Sequence, residues 1–400
     1  MTMIDDRPAP NPARSLANRE FYDDFEPIGP GTLAGNYLRS FWQPVYRAKD
    51  LRTGTARPLR ILAQDFTIFR GASGKPQVLA SRCPHRGTVL SAGWVEGDEV
   101  RCFYHGWKFS ADGSCTEQPA EKDGFKDTVC VRSYPTREYL GLIFAYLGPG
   151  EAPPFFRLKI FEDDRSYLSV KASMRRCSYF NQLENGVDEA HINFVHRISS
   201  FAEAGFTKEI PEVFTRETDY GIERAAKRGD QVRIGHCLLP NVLFTSVVDP
   251  AAGWMQHIAW RVPVENDSSV SFVVDQVRLS GAELERYLTT ARERHQKLVG
   301  LPSPDDVGRA ILRGELSLDD VGQRSDLLNI QDVVALVGQE GAFRARDRLG
   351  RSDVSVVLLR RIFAREIRLL SEGKPTKQWL WPEDLCVTTR PASDFSISKG

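Results

Sequence analysis

Apolar and polar positions alternate in short segments over the first third of the chain, from about Gly35 to Gly148. Segments such as RPLRILAQDFTIFRG and LGLIFAYLG are separated by Gly, Asp and Ser. A period of two places every second side chain on one face of a strand, and such runs bounded by turn residues are typical of antiparallel sheets. The pattern predicts a small antiparallel β domain over residues 36–150.

The pattern changes after a Gly- and Pro-rich stretch, GPGEAPPFF at 148–156, which is typical of a linker. Beyond it, the strand-like segments NVLFTSVV, HIAWRVPV and SVSFVVDQV occur together with helical patterns at 177–197, 281–298 and 326–370. We therefore expect an α+β domain over residues 151–400. Residues 1–35 are expected to form an N-terminal extension that packs on the core, with a mobile tail at its start.

Composition and charge narrow the possible functions. Lys plus Arg and Asp plus Glu number 53 each, so no net charge favours nucleic acid or an anionic membrane. No apolar run approaches the roughly 20 residues of a membrane span, and the acidic N-terminus lacks the pattern of a secretory signal. The seven cysteines are irregularly spaced, unlike a disulfide framework. We expect a soluble, cytoplasmic protein that binds a small molecule.

Two short motifs, CPHRG at 83–87 and CFYHGW at 102–107, carry the strongest chemical signal. Each places a cysteine and a histidine within a tight, glycine-containing turn, so Cys83, His85, Cys102 and His105 can converge on one metal centre. Structural zinc sites more often use Cys-x-x-Cys turns, although zinc remains the competing interpretation. Mixed Cys and His pairs favour a Rieske cluster, in which two cysteines hold one iron and two histidines hold the other.

A second group of candidate ligands lies in NQLENGVDEAHINFVHR at 181–197. Asp188, His191 and His196 provide two imidazoles and a carboxylate, the ligand types that hold non-haem iron(II) and leave positions for O₂. Asp188 and His191 are expected to share a helix face. His191 and His196 would diverge by about 140° on an undistorted helix, so convergence requires a bulge or a helix end near Asn193.

A further carboxylate ligand is expected in the C-terminal half. Asp332 lies four residues from both Leu328 and Leu336, on an apolar stripe where an unpaired carboxylate would be costly. Asp347 is expected to be solvated beside Arg351, and Asp353 to cap a helix. The pattern favours Asp332, with Asp353 as the alternative. The candidates considered are Asp326, Asp332, Glu340, Asp347 and Asp353.

The segment CPHRGTVLSAGWVEGDEVRCFYHGWKF resembles the Rieske domain of aromatic ring-hydroxylating oxygenases, and Asp-x-x-His-x-x-x-x-His is similar to the iron-binding pattern of the same family. NIQDVVALVGQEG and the residues after it resemble the phthalate-dioxygenase-like branch. The resemblance implies the oxygenase (alpha) subunit, with a helix-grip-like α+β catalytic domain. It further implies a 2Fe-2S cluster on Cys83, His85, Cys102 and His105, and a mononuclear Fe(II) on His191, His196 and Asp332.

The resemblance also implies how the two centres communicate. Family members of this type form head-to-tail homotrimers, so Asp188 would contact His191 of its own subunit and His105 of a neighbour. Electrons would come from a separate NAD(P)H-dependent reductase, since the sequence has no flavin or nicotinamide motif. The expected reaction uses O₂ to hydroxylate or O-demethylate an aromatic substrate, carboxylated or phenolic, by dioxygenase or monooxygenase chemistry.

Two other classes of protein remain as alternatives. A zinc-stabilised, non-catalytic binding protein would use the same Cys and His pairs, and a Rieske electron carrier would need only the first domain. His191, His196 and Asp332 argue against the electron carrier. Basic residues between the two iron-ligand regions could bind a substrate carboxylate, but we expect them to be solvated; they are Arg216, Arg224, Arg228 and Arg233.

Overall fold

The computed structural model describes residues 16–339 and 344–392. The N-terminal tail at 1–15 and the candidate ligand Glu340 therefore lie outside the described residues. The first domain contains one α-helix and short strands: α1 (Leu33–Arg39), β1 (Trp42–Arg47), β2 (Thr55–Ile61), β3 (Gln64–Arg70), β4 (Pro76–Ala80), β5 (Trp94–Glu96), β6 (Glu99–Arg101), β7 (Lys108–Phe109), β8 (Cys115–Glu117), β9 (Ser133–Tyr134), β10 (Thr136–Tyr139) and β11 (Leu142–Tyr146).

These strands pair antiparallel, which confirms the predicted β domain. One sheet has the order β1-β11-β10 and another has the order β2-β3-β4-β9. The order β5-β6-β7-β8 forms a separate small sheet, which shares an apolar core around Leu90, Val100 and Phe109 with strands β2, β3 and β4. Cys83 and Cys102 are buried in this core, so the small sheet supports both cysteine-containing loops.

The second domain combines a large sheet with helices, as the α+β prediction requires. Its elements are β12 (Tyr167–Arg175), α2 (Tyr179–Val187), α3 (His191–Val195), α4 (Ser200–Glu203), β13 (Glu212–Glu217), β14 (Gly221–Arg228), β15 (Gln231–Leu238), β16 (Val242–Asp249), β17 (Gly253–Glu265), β18 (Ser268–Val277), α5 (Gly281–Gln296), α6 (Pro304–Leu312), α7 (Leu327–Val337), α8 (Val354–Ser371) and β19 (Thr388–Pro391). Short 3₁₀ helices include Leu16–Phe25, Arg344–Arg346 and Arg351–Asp353.

The large sheet is antiparallel and has the order β12-β18-β17-β16-β15-β14-β13, with β19 paired to β15. Successive side chains of its strands alternate between two faces. Ile258 and Trp260 of β17 enter the main core, where the ring of Trp260 lies 5.4 Å from that of Phe144 in the first domain. The N-terminal extension joins the same core, because the buried ring of Phe25 lies 4.7 Å from that of Phe180.

Two predicted helices are interrupted. The helix expected over 177–197 ends at Val187, where the N–H of Asp188 closes the last turn on Glu184 O at 3.1 Å. The helix expected over 326–370 divides into α7 and α8. Asp353 lies at the start of α8, and its carboxylate accepts the Gly350 N–H at 2.6 Å. Within the described parts of the chain, no helix has the length and apolar character needed to cross a membrane.

Candidate metal centres

The two cysteine-containing loops have the same backbone design. Cys83 N donates to Thr88 O at 2.9 Å and Gly87 N donates to Cys83 O at 2.9 Å. In the second loop, the corresponding bonds run from Cys102 N to Trp107 O at 2.8 Å and from Gly106 N to Cys102 O at 3.1 Å.

Gly87 and Gly106 both occupy the left-handed region, with φ of 79° and 72°. L side chains rarely adopt that conformation, which explains why each motif contains a glycine at this position. The paired loops therefore present their ligands from two matching turns.

The four side chains of these loops fit an iron–sulfur cluster. Cys83 and Cys102 are 2% exposed, and burial raises the pKa of the Cys83 thiol. The imidazole rings of His85 and His105 lie 4.5 Å apart. Nδ1 of His85 is buried without a hydrogen-bond partner, which is costly for a polar atom and is the state that metal ligation would relieve. Two thiols and two imidazoles facing each other are the donor set of a Rieske centre.

Exposed aromatic side chains surround the loops. Phe103 is 59% exposed and Tyr104 is 53% exposed, and both lie between Cys102 and His105. Trp94 of β5 stands beside Phe103, with ring centroids 5.4 Å apart. Contiguous exposed aromatic groups are typical of interaction surfaces, so the tip of the first domain has the character of a docking surface.

The structure brings His191, His196 and Asp332 together in the second domain. One ligand-capable atom from each residue lies within 4.8 Å of the others. Nε2 of His196 is 3.2 Å from Oδ1 of Asp332, and the two imidazole rings are 5.3 Å apart. Two imidazoles and a carboxylate in this arrangement suit a non-haem iron(II) centre with open coordination positions.

Helix interruptions explain how the two histidines converge. His191 is the first residue of α3, and His196 follows its last residue, Val195, with a non-helical backbone (φ −103°, ψ 23°). The helix therefore ends before the two imidazoles would be carried to different faces. Asp332 projects from the middle of α7, where Asn185 of α2 donates to its Oδ1 at 3.4 Å.

Hydrogen bonds fix the orientation of both imidazoles. Nδ1 of His196 donates to Oε1 of Gln331 at 3.0 Å, and Nδ1 of His191 donates to the main-chain carbonyl of Asp188 at 2.6 Å. These bonds occupy Nδ1 of each imidazole, so Nε2 is available to bind a metal. Hydrogen bonds of this kind commonly orient histidine ligands in metal sites. Gln331 was not among the residues predicted for the site, although its position next to Asp332 provides a sequence signal.

Burial and the carboxylate of Asp332 together determine the direction of each pKa shift in this group. Burial alone would raise the pKa of Asp332, but the hydrogen bond and charge of His196 outweigh it and lower this pKa. Burial lowers the pKa of His191. For His196, burial is outweighed by Asp332, which raises the pKa of the imidazole. The carboxylate is thus kept ionised, as metal ligation requires.

Asp188 lies next to this group, and its carboxylate does not bond the ring of His191. Its Oδ1 accepts the Ala190 N–H at 2.8 Å, whereas Oδ2 is 4.0 Å from Nδ1 of His191. Burial raises the pKa of Asp188, and 25% of its side chain remains exposed. Asp188 and His191 line an open cavity of about 500 Å³, together with Ala335 of α7 and Val356 of α8. Since Asp188 follows α2, the prediction that it shares a helix face with His191 is wrong.

The other described carboxylates are engaged elsewhere. Asp326 pairs with Arg324 at 2.8 Å, and Asp353 binds the turn before α8. Asp347 is exposed, as expected, and it pairs with Arg360 at 2.7 Å. Among the described residues, the group of close ligand atoms contains Asp332 and not these three.

The expectation that the basic residues are solvated holds for Arg216 and is wrong for the others. Arg216 is 63% exposed and pairs with Glu223. Arg224, Arg228 and Arg233 are largely buried around Glu189, the residue after Asp188. Arg224 and Arg228 are four apart in β14 and therefore share a sheet face, which is a signal that sequence reasoning missed.

Comparisons with known proteins agree with this geometry. Residues 41–135 match the family described as the Rieske [2Fe-2S] domain. The chain is 30% identical over 383 residues to the 5,5'-dehydrodivanillate O-demethylase oxygenase subunit of Sphingobium sp., covering 90% of this chain and 83% of that protein. It is 35% identical over 280 residues to the phenoxybenzoate dioxygenase subunit alpha of Ectopseudomonas oleovorans, covering 64% and 68%.

Solved structures show the same fold. The oxygenase in its reduced complex with ferredoxin from carbazole 1,9a-dioxygenase superposes with a TM-score of 0.63 at 18% identity, covering 90% of this chain and 98% of that one. The chain belongs to the oxygenase subunits of the Rieske non-haem iron oxygenases. It is thus an oxidoreductase whose cofactors are a 2Fe-2S Rieske cluster and a mononuclear iron.

Proposed function

We propose that His191, His196 and Asp332 hold the mononuclear iron, and that Cys83, His85, Cys102 and His105 hold the cluster. The observation that carries the proposal is the approach of the three ligand atoms within 4.8 Å, from two separate helical regions. When bound, the cluster supplies electrons singly and the iron provides open positions for O₂. Gln331 and the Asp188 carbonyl hold the two imidazoles in position for this task.

The substrate is proposed to be an aromatic acid or phenol that is hydroxylated or O-demethylated. This proposal is supported by the names of the relatives, which include an O-demethylase and a phenoxybenzoate dioxygenase. Asp332 and His191 keep partly accessible surface although the second domain encloses them, so a small molecule could reach the iron ligands.

The coupling of the two centres is proposed to occur between subunits of a head-to-tail homotrimer. Phe103 and Tyr104 expose apolar area beside His105, while the cavity at Asp188 and His191 is open to solvent. Docking of the first surface on the second would let the accessible Asp188 carboxylate accept a hydrogen bond from His105 of a neighbouring subunit. The Asp188 carbonyl already binds His191, so one residue would contact both histidines.

Electrons are proposed to come from a separate NAD(P)H-dependent reductase, directly or through a ferredoxin. The carbazole 1,9a-dioxygenase oxygenase has been solved in complex with a ferredoxin, which supports a separate electron-transfer protein here. Cytoplasmic residence is part of the same proposal, because a reducing compartment suits free cysteines, and all seven are unpaired.

Turnover with a reductase, NADH and a panel of methoxylated and unsubstituted aromatic acids tests the function. Product masses distinguish two added oxygens, one added oxygen and loss of a methyl group. We expect O₂-dependent product formation and a red-brown visible absorption. A colourless protein containing zinc, without turnover, would instead support the zinc-stabilised binding protein.

A further inference from the structure

Trp107 closes the second cysteine-containing loop and lies against the first. Its main-chain carbonyl accepts the Cys102 N–H at 2.8 Å. Its indole stacks on the imidazole of His85, with ring centroids 4.4 Å apart and the planes 5° from parallel. Phe125 contacts the indole edge-on at 5.5 Å, and only 3% of Trp107 is exposed. The indole is therefore fixed beside a proposed cluster ligand.

The indole nitrogen of Trp107, Nε1, is buried and has no hydrogen-bond partner among the residues that the structure describes. An indole N–H can only donate a hydrogen bond, so the missing partner is an acceptor. Leaving a buried donor unpaired is costly, because the donor has lost its hydrogen bonds to water. A group that accepts a hydrogen bond from Nε1 would remove this cost.

The unpaired buried side-chain atoms of the first domain gather around this stacked pair of rings. Among its described residues they are Nδ1 of His85, Nε1 of Trp107 and Nε2 of Gln118. Oε1 of Gln118 accepts the N–H of Phe125 at 2.9 Å, which fixes the amide and leaves its nitrogen as a donor. Iron ligation would satisfy His85, so the remaining two atoms are donors that lack an acceptor.

The acceptor for Trp107 has to lie inside the domain, because bulk water and the surface of another protein cannot reach the buried Nε1. The group expected inside the domain is the cluster, and its sulfurs accept hydrogen bonds. Trp260 also has an unpaired Nε1, so the unpaired state alone does not identify a contact with the cluster. Trp260 lies in the main core, whereas Trp107 shares a core with Cys83 and Cys102 and stacks on His85. This position makes the cluster the acceptor that fits Trp107.

We propose that the indole N–H of Trp107 donates a hydrogen bond to a sulfur of the cluster and thereby raises the reduction potential of the cluster. The proposal rests on the proposed function, because it requires a cluster on Cys83, His85, Cys102 and His105. Reduction adds one electron to the cluster, so its sulfurs become more negative and the hydrogen bond becomes stronger. The N–H therefore stabilises the reduced cluster more than the oxidised cluster.

The reduction potential of the cluster in the purified holoenzyme tests the proposal. It is measured at fixed pH by stepwise reduction with dithionite, followed by the paramagnetic signal of the reduced cluster. Trp107→Phe should lower the equilibrium constant for reduction by about 3- to 10-fold, which corresponds to about 30–60 mV at 59 mV per tenfold change. Water entering the space left by the smaller ring would act in the opposite direction, because water favours the more negative, reduced cluster.

Replacement of Trp107 by 3-benzothienylalanine separates the effect of the N–H from that of the ring. This residue keeps the bicyclic shape that stacks on His85 and has a sulfur in place of the N–H. It should lower the equilibrium constant by the same factor as Trp107→Phe, and it decides the question if Trp107→Phe does not retain the cluster. Trp260→Phe is the matched control, because it removes a buried, unpaired N–H from the main core. It should leave the potential unchanged.

An unchanged or raised potential in the two Trp107 variants would overturn the proposal. A lower potential in Trp107→Phe alone would also overturn it, since the effect would then come from the ring. The proposed function fails separately: lowered potentials in both variants, without O₂-dependent turnover by wild type, would contradict the oxygenase reaction and leave the hydrogen bond standing. Turnover by wild type with unchanged potentials in the variants would do the reverse. Wild type that contains zinc and no cluster would overturn both.

Discussion

Glu189 is the single carboxylate in a buried cluster with Arg224, Arg228 and Arg233. It is 2% exposed, and its oxygens lie 2.9 Å from Arg224, 2.7 Å from Arg233 and 3.5 Å from Arg228. Glu189 immediately follows Asp188 in the turn that separates α2 from α3. The arginines therefore hold in place the turn that precedes His191, the first residue of α3. We predict that Glu189→Gln strongly destabilises the protein.

The expected loss of stability can be calculated from the pKa shift of the Glu189 carboxyl group. Burial would raise the pKa of Glu189, but the charges of Arg233, Arg224 and Arg228 outweigh it and lower this pKa from 4.5 to about 2. A shift of that size corresponds to about 3 kcal/mol between the ionised and neutral forms. It agrees with the roughly 3–5 kcal/mol lost when one partner of a buried ion pair is removed.

Thermal unfolding followed by circular dichroism measures the effect. A loss of about 3 kcal/mol should lower the apparent Tm of the second domain by about 6–12 °C. Glu315→Gln is the control, since Glu315 pairs with Arg313 on the surface, where both side chains are more than half exposed. That variant should melt within about 2 °C of wild type.

The difference in the free energy of unfolding between Glu189→Gln and wild type should also depend on pH. A carboxyl whose folded pKa is lowered contributes stability that is present above its unfolded pKa of 4.5 and is lost as pH falls toward its folded pKa of about 2. Between pH 7 and pH 3.5 the difference should narrow by about 1 kcal/mol. Glu189→Gln melting no lower than Glu315→Gln would refute the reasoning.

The remaining predictions concern the metal centres and their coupling. Cys102→Ser should remove the visible absorption and paramagnetic signal of the cluster, because a hydroxyl is a poor replacement for a thiolate on iron; retention of both signals would show that the ligand assignment is wrong. Asp188→Asn keeps an oxygen that can accept the Ala190 N–H, so both centres should assemble while activity falls by about 10- to 100-fold. In a single turnover after full reduction, the cluster of Asp188→Asn should stay reduced; normal oxidation with product formation would assign Asp188 a structural role.

Features with a local sequence signal were predictable. The two cysteine-containing loops carry their glycines, cysteines and histidines within five or six residues, and the antiparallel strands around them alternate with a period of two. The apolar stripe of α7, of which Leu336 is 4% exposed, indicated that Asp332 faces the interior, where 27% of its side chain remains exposed. These signals depend on residues that are close in sequence, so they can be recognised without knowledge of the fold.

Features set by distant partners were not predictable. Glu189 and Arg233 are separated by 44 residues, so the burial of the arginine depends on a tertiary pair. Asp347 pairs with Arg360 and not with the nearer Arg351. The end of α2 at Val187 likewise reflects tertiary context, because the buried Glu189 holds the following turn in place. The helical pattern of apolar residues continues through this turn, so the sequence predicted one helix over residues 177–197.

Iron and sulfide analysis of Asp332→Ala beside Asp353→Ala tests the central claim most directly. If His191, His196 and Asp332 hold the mononuclear iron, Asp332→Ala should lose one iron per chain while sulfide and visible absorption stay at wild-type levels. Asp353→Ala should keep all of its iron, since its carboxylate binds the turn before α8. Full iron content in Asp332→Ala, or loss of that iron in Asp353→Ala, would contradict the assignment.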